Sequence, residues 1–326
     1  MKREIAIAAS SGELWSALKE DGQVVELRAT SGGSASRVGE VWLARIVGLR
    51  PELPAALVDI GLARPALLSA EDVTPKARFK TLCEGEAVVV EIAKDARADK
   101  AAGVTMRLSR ALVPPPDGKP PLRLDTPVPA AVALIAPWLD PVPNAIAVDD
   151  RAVYAELRNW LRVNHPVLVA GLGAVNEALY ESSGIADAVE QALASRLALP
   201  GGGFLLVEPT ALGVAIDVDS GAARSAVAVN LEAARAVARQ IRLRNLSGPM
   251  IVGFVGMKGK GERERVFAAL KTAMARHVPD GQALGWTRLG HVELVRKRKA
   301  PSLAESIAAS GGNPDAGPFD FRPRRP

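Results

Sequence analysis

The hydrophobic and polar positions of the first third of the chain follow a strand pattern. Apolar runs at 4–8 and 22–28 are separated by a polar stretch that indicates a turn. Further apolar runs, bounded by Gly, Pro and charged residues, lie at 39–49, 55–61, 65–73, 86–95 and 103–109. Several short strands within about 70 residues are typical of a small barrel such as an OB-fold.

The rest of the chain mixes helix and strand patterns. A Pro-rich stretch indicates a linker at 113–129, and an apolar run from Asn144 that ends in two aspartates predicts a strand and then a helix at 152–163. Asn230 is the predicted N-cap of a helix that carries an apolar face to Ile241 and is stopped by Gly248. The other predicted elements are a helix at 173–197, a hairpin at 204–207 and 213–218, a strand at 250–255, a helix at 261–276 and a strand at 287–295.

Composition narrows the class of protein. The 326 residues are 48% hydrophobic and 24% charged, which is ordinary for a folded globular protein. No apolar run approaches the roughly 18–20 residues that a membrane span needs, and the first residues do not resemble a signal peptide. We therefore expect a cytoplasmic protein without membrane contact. The single Cys83 excludes an internal disulfide and a multi-cysteine zinc site within one chain.

The positive charge is concentrated near the C-terminus. The net charge is +5, and from Arg296 onward the chain has seven Lys or Arg residues against three Asp or Glu residues. The remainder of the chain is close to neutral. The charge therefore indicates a basic tail more than a basic groove on the folded body.

Three groups of motifs, in order along most of residues 1–303, resemble the ribonuclease E/G family. The first lies in the predicted barrel and consists of Ala55-Ala-Leu-Val-Asp-Ile-Gly and Ala66-Leu-Leu. The others are Leu199-Pro-Gly-Gly-Gly, Ala215-Ile-Asp-Val-Asp-Ser-Gly, Asn230-Leu-Glu-Ala-Ala and Ala238-Arg-Gln-Ile-Arg-Leu-Arg-Asn-Leu, then Thr287-Arg-Leu-Gly and Val292-Glu-Leu-Val-Arg-Lys-Arg. Each motif alone is weak evidence, whereas the ordered set is specific.

The resemblance implies an α+β fold. An OB-fold β-barrel is inserted in an RNase H-like piece and is followed by a DNase I-like α/β domain. The expected boundaries are 1–36 and 130–172 for the RNase H-like piece, 37–112 for the RNA-binding barrel, 113–129 for the linker, 173–303 for the DNase I-like domain and 304–326 for a disordered tail.

The resemblance also implies cleavage of single-stranded RNA with Mg²⁺, a hard cation that prefers oxygen ligands. Asp217 matches the first metal aspartate of the family, and Asp219 stands where the family usually has Asn; both are predicted to be catalytic and metal-binding, on one face of a strand. The second metal aspartate is matched by Gly253, and a further acidic position by Gly256. The site therefore lacks at least one direct ligand, for which Glu208 is a candidate substitute.

The predicted RNA contacts have two sources. Lys100 matches a family lysine that contacts RNA. The predicted helix after Asn230 carries Arg239, Arg242 and Arg244, which are predicted to line an RNA path; the alternative is that they form a solvated helix face. The family stacks RNA bases on phenylalanines in the segments matched here by Leu57 and Leu67. Because stacking contributes roughly 1–3 kcal/mol per base, leucine loses much of that energy.

Two other features of the family are missing from the sequence. The Pro-rich stretch replaces the subdomain that senses a 5′-monophosphate, and the paired cysteines that link two chains through zinc do not follow Leu303. We expect no zinc, and an oligomer would not form through that link. Three functions stay open. The first is a Mg²⁺-dependent endoribonuclease acting on single-stranded RNA such as ribosomal RNA precursors, and the second is a catalytically inactive RNA-binding or ribosome-associated protein. The third is an interaction module whose barrel no longer binds RNA.

Overall fold

The structure, a computed structural model, describes residues 1–10, 12–30, 37–50, 52–96, 100–110, 112–125, 128–298 and 300–308. The strands are β1 (Arg3–Ser10), β2 (Glu13–Glu20), β3 (Gln23–Thr30), β4 (Val41–Arg50), β5 (Ala55–Asp59), β6 (Ala66–Ser69), β7 (Ala87–Lys94), β8 (Gly103–Thr105), β9 (Leu122–Arg123), β10 (Ala145–Val148), β11 (Leu172–Ala174), β12 (Arg196–Ala198), β13 (Phe204–Pro209), β14 (Val214–Asp219), β15 (Gly248–Gly253), β16 (Gly281–Trp286) and β17 (Val292–Arg296). The α-helices are α1 (Ala130–Ile135), α2 (Arg151–Asn164), α3 (Leu179–Ser182), α4 (Ile185–Leu193), α5 (Ala226–Leu243), α6 (Lys260–His277) and α7 (Leu303–Ala308).

The mixed α+β chain divides into two compact units. One unit comprises Met1–Gly33 and Pro129–Pro326, and the other comprises Ser34–Val128. The predicted domain boundaries are finer than this division and stay predictions.

The unit Ser34–Val128 is built on a closed five-stranded barrel. Its strands pair in the order β4-β5-β6-β8-β7 and close through β7 and β4. Inward-facing aliphatic side chains such as Ile46, Val58 and Leu68 form its core. The barrel is compatible with the predicted OB-fold. Within the stretch predicted to be a linker, Leu122 and Arg123 form β9 and pair with β4.

A buried carboxylate ties this last strand to the barrel. Asp125 accepts a hydrogen bond from the N–H of Val41 at 2.9 Å and forms ion pairs with Arg123 and Arg110 at 2.9 and 3.1 Å. Arg123 also pairs with Glu40 at 2.8 Å. Burial alone would raise the pKa of Asp125, but the hydrogen bonds from Arg123 and Val41 outweigh it and hold that pKa below its usual value.

The first sheet of the other unit has the order β11-β10-β1-β2-β3, with β10 parallel to β1 and β2 antiparallel to it. Strand β2 occupies residues that were predicted to form a turn, and that prediction is wrong. Both faces of β2 are buried: Trp15 and Ala17 belong to one hydrophobic core and Leu18 to another. A strand covered on both faces lacks the alternation by which a half-buried strand is recognised.

The second sheet of this unit has the order β12-β13-β14-β15-β17-β16. Strand β14 alternates strictly, with Val214, Ile216 and Val218 buried and the residues between them exposed. The buried side chains form one core with the apolar faces of α5 and α6. The opposite side of this sheet carries the exposed residues of β14, including both predicted metal aspartates.

Three predicted elements of this unit differ from the structure. The helix expected at 173–197 is replaced by β11, α3, α4 and β12, with a left-handed break at Gly184 (φ +81°) before α4. Asn230 is buried inside α5 and does not cap it; the helix begins at Ala226, and the side chain of Ser225 accepts a hydrogen bond from Ala228 N–H. The strand expected at 287–295 is a turn followed by β17.

The C-terminal segment begins with structure. Helix α7 covers the first residues of the tail that was predicted to be disordered, and Arg298 pairs with Glu305 at 2.9 Å. The remainder of the predicted tail lies outside the described residues. Among the helices of the described residues, none has the length and apolar character required to cross a membrane.

Candidate functional site

The two predicted metal aspartates lie together on β14. Asp217 and Asp219 are both exposed and point to the same side of the sheet, as their spacing predicts. Asp219 Oδ1 also accepts a hydrogen bond from the N–H of Gly221 at 2.7 Å. One carboxylate oxygen of Asp219 therefore closes the turn that follows β14. No hydrogen bond to the Asp217 carboxylate is recorded among the described residues.

Gly253 lies directly opposite Asp217 in the parallel pairing of β14 with β15. A Cβ at position 253 would lie 2.6 Å from Asp217 Oδ1 and 3.6 Å from Nδ1 of His291. The Asp217 carboxylate thus leans over the space that a side chain at 253 would fill. The side chain that approaches the same space from the far side is an imidazole, not a second carboxylate.

His291 was not singled out from the sequence because the histidines have no metal-binding or triad spacing. The signal lies in the strand register instead. Val252 pairs with Val292, the first residue of β17, in the antiparallel pairing of β15 with β17, so His291, which directly precedes β17, falls beside Gly253. The turn at 287–291 fixes this position, since the N–H of Thr287 donates to the His291 carbonyl at 2.7 Å.

The segment after β15 is held by a side chain from α5. Asn230 donates a hydrogen bond through Nδ2 to the Val255 carbonyl at 2.8 Å and accepts one from Val255 N–H at 3.0 Å. This pair of bonds fixes the backbone between Gly253 and Gly256. The positions that match two family carboxylates are therefore well-positioned backbone without acidic side chains.

The residues present do not fit the family's magnesium site. Within the described part of the chain, no three His, Cys, Asp or Glu side chains converge as metal ligands would. The predicted substitute, Glu208, pairs with Ala215, whereas the residue of β13 opposite Asp217 is Leu206. Glu208 is thus two residues out of register with Asp217. Two aspartates on one strand, one of them already accepting the Gly221 N–H, are a weak set of protein ligands for an ion that demands octahedral oxygen coordination.

Two of the three predicted RNA-contacting arginines make intramolecular contacts. Arg242 forms ion pairs with Glu20 at 2.9 Å and Glu26 at 3.3 Å, and thereby ties α5 to the first sheet of its unit. Arg244 is only 5% exposed, and burial lowers its pKa to about 10. These intramolecular contacts argue against RNA binding by Arg242 and Arg244.

Arg239 differs from these two in that no ion pair is recorded for it among the described residues. It is half-buried, and its Nε has no hydrogen-bond partner among the described residues. It lies near Arg242, Arg276 and Glu20 around His277, at the ends of α5 and α6. Burial lowers the pKa of His277 there, and the charges of Arg242, Arg276 and Arg239 lower it further. Its predicted RNA contact stays a prediction.

The barrel carries a row of paired positions that we call the leucine row: Leu57, Leu67, Gly103 and Lys94. Leu57 pairs directly with Leu67, and Gly103 pairs with both Leu67 and Lys94. A Cβ at Gly103 would contact Lys94 Cβ at 3.4 Å and Cδ at 3.5 Å, so the lysine stem lies across the glycine. The predicted RNA contact Lys100 is exposed on the same unit. The leucine row thus combines an apolar surface with a cation at one end.

Comparison with known proteins agrees with the motifs. A family model described as "Ribonuclease E/G family" matches residues 119–299. Ribonuclease G of Haemophilus influenzae is 24% identical over 92% of this chain and 80% of that protein. Ribonuclease E of a Nostoc species is 34% identical over 50% of this chain and 25% of that protein, and ribonuclease G of Escherichia coli is 28% identical over 49% and 35%. Since the family model covers more than half of the 326 residues, the chain belongs to the ribonuclease E/G family of RNA-processing ribonucleases.

Proposed function

We propose that this protein binds single-stranded RNA through its barrel and has lost the family's Mg²⁺-dependent cleavage. The observation that carries the proposal is the register pair of Asp217 and Gly253. As part of it we assign the barrel as an OB-fold, the sheet of β1, β2, β3, β10 and β11 as the RNase H-like piece, and the sheet of β12–β17 as the DNase I-like domain.

The loss of cleavage follows from the charges that face the metal position. Two carboxylates on adjacent strands neutralise a divalent cation, and the cation in turn activates water and stabilises the charge on the phosphate. Glycine contributes neither charge nor ligand atom at position 253. Asp219 does not occupy that position, because it lies on β14 beside Asp217 and not on β15 opposite it. What remains at this position is one carboxylate, which by itself repels a phosphate.

RNA binding is supported by the leucine row. Apolar side chains contact a nucleobase through its area, and a lysine beside them attracts the phosphate backbone. Leu67 is 38% exposed, so it is accessible to a ligand. We retain Lys100 and Arg239 as further RNA contacts, ribosomal RNA precursors as candidate targets and the cytoplasm as the expected location, all by resemblance to the family.

Retained Mg²⁺-dependent endonucleolytic cleavage is the second candidate. It is favoured by one observation: Asp217 and Asp219 are both exposed on the same side of β14. Magnesium is sometimes held by one or two carboxylates together with substrate phosphates, so RNA itself would have to complete the ligand set.

One experiment separates the two candidates. Labelled single-stranded RNA is incubated with the wild-type protein and with Asp217→Asn, which removes the charge at constant size, in Mg²⁺ and in EDTA. We expect salt-dependent binding by both proteins and intact RNA throughout. Cleavage by the wild type in Mg²⁺ that Asp217→Asn abolishes would overturn the proposal in favour of the second candidate. Failure of both proteins to bind RNA at low salt would overturn the binding function.

A further inference from the structure

The side of the β12–β17 sheet that faces away from α5 and α6 is here called the open face. It carries Arg196, Leu206 and Asp217 in one row across three strands, because Arg196 pairs with Leu206 and Leu206 with Asp217. The next row contains Phe204, which pairs with Asp219. The open face therefore brings a cation and an aromatic ring beside the two aspartates.

Arg196 and Phe204 are in contact on the open face. They are diagonal neighbours on adjacent antiparallel strands, and the guanidinium carbon lies 3.6 Å from the centre of the phenyl ring. This is the shortest of the cation–ring distances recorded in the described residues. One planar face of the guanidinium is thus covered by the ring.

The edge of the ring has a neighbour of its own. A Cβ at Gly221 would lie 2.9 Å from Phe204 Cε1, so the backbone of the turn after β14 packs directly against the ring edge. Gly221 has a φ of +50°, and the turn is closed by the hydrogen bond from its N–H to Asp219. The phenyl ring, and with it the guanidinium that lies on it, is positioned by the same turn that engages Asp219.

Arg196 is available for a ligand. Its side chain is exposed, and no ion pair with a carboxylate of the described residues is recorded for it. Arg242 on the same unit shows the contrast, since it pairs with both Glu20 and Glu26. Arg196 keeps its positive charge and its second planar face free of such a partner.

We propose that Arg196 and Phe204 form a nucleobase subsite on the open face, in which one base of single-stranded RNA stacks on the free plane of the guanidinium. Guanidinium groups are planar and delocalised and stack on flat π systems, and sheet faces that carry such groups take up unpaired bases. Asp217 and Asp219 repel the phosphate backbone, which favours an approach by the base. The subsite rests on the proposed RNA binding and adds a contact outside the barrel.

Lysine separates stacking from charge, because it carries the same charge on a flexible stem without a plane. The probe is a short oligouridine with one 2-aminopurine, whose fluorescence falls when the base stacks. We expect Arg196→Ala and Arg196→Lys each to weaken binding about tenfold and to reduce the quenching of the probe, since stacking of one base corresponds to roughly five- to 150-fold in affinity. Phe204→Leu should have a smaller effect in the same direction.

The matched control is Arg235→Ala, which removes an exposed arginine of α5. It should bind as the wild type does, and thermal unfolding of each variant checks the fold. Wild-type affinity and quenching in Arg196→Lys would overturn the subsite, because charge alone would then explain the contact. Unchanged affinity in Arg196→Ala and Phe204→Leu, with a wild type that binds RNA, would overturn the subsite and leave the proposed function standing. A wild type that does not bind RNA would overturn both.

Discussion

The leucine row of the barrel and the Asp217 row of the β12–β17 sheet have diverged from the family in different ways. In the barrel, the resemblance places leucines where the family stacks bases on phenylalanines, and these leucines form adjacent apolar surface beside Lys94. In the sheet, the resemblance places a glycine where the family has a metal aspartate, and no side chain at 253 faces Asp217. The first change weakens a contact, whereas the second removes a ligand.

RNA binding by apolar contact and coordination of a metal ion respond differently to the loss of a side chain. Apolar contact energy scales with the area buried, so a leucine retains part of what a phenylalanine supplies. Coordination of a divalent ion depends on discrete charged ligands in fixed geometry, and each lost ligand removes a whole charge. RNA binding is therefore expected to outlast cleavage in this chain.

The largest effect is expected from removing the buried carboxylate that ties β9 to the barrel. Asp125→Asn eliminates the buried charge that pairs with Arg123 and Arg110, and it should lower the free energy of unfolding by about 3 kcal/mol at pH 7. The folded pKa of Asp125 lies below its unfolded value, so the stabilisation is present above about pH 4 and is lost as the pH falls through the folded pKa. Denaturant unfolding of the wild type and of Asp125→Asn at several pH values measures the difference in the free energy of unfolding.

The control for this variant is Asp117→Asn, because Asp117 is an exposed aspartate of the same unit. It should change stability by no more than about 0.5 kcal/mol. If the free energy of unfolding that Asp125→Asn loses stays the same between pH 7 and pH 3, the ion pairs of Asp125 are not the cause of the loss.

An aromatic side chain at position 67 tests whether the leucine row binds RNA. Leu67→Phe should strengthen binding to oligouridine by about 1 kcal/mol, roughly fivefold, because a ring adds stacking to the existing apolar contact. Fluorescence anisotropy gives the dissociation constant. Leu212→Phe, at a leucine that is 90% exposed on the other unit, is the matched control and should change nothing. Equal affinities for Leu67→Phe and the wild type would argue against the leucine row as the binding surface.

A smaller effect is expected from the cation of the leucine row. Lys94→Ala should weaken RNA binding several-fold at low salt and reduce the slope of log affinity against log salt by about 0.7, the value for one phosphate of a single strand. Lys260→Ala, which removes an exposed lysine of α6, is the control. If the slope for Lys94→Ala equals that of the wild type, Lys94 does not contact phosphate.

The sequence predicted most of the barrel and the position of the two aspartates. The position of the two aspartates followed from the alternation along β14 and the motif around Asp217, because a period of two fixes which side chains share a face. The barrel strands were found because turns and charged residues interrupt them. Strand β2 was missed because Trp15 and Leu18 are buried on opposite faces, which hides the period.

Contacts between distant segments could not be predicted. Local propensity favoured Asn230 as an N-cap, whereas tertiary contact with Val255 places it inside α5. Arg242 and Arg244 look like a basic helix face until the glutamates of β2 and β3 and the burial of the second arginine are known. His291 reaches Gly253 only through strand register, and no spacing along the chain reveals that.

Asp217 faces no ligand at Gly253, and thermal unfolding of the protein during a Mg²⁺ titration measures whether this position binds the ion. We predict no Mg²⁺-dependent change for the wild type. Gly253→Asp should be less stable without Mg²⁺, because its carboxylate meets that of Asp217, and should be stabilised by about 2.7 kcal/mol at a Mg²⁺ concentration 100 times the dissociation constant. Gly253→Asn, of the same size without charge, should show no such gain. A stabilisation of the wild type by Mg²⁺ that Asp217→Asn removes would contradict the account.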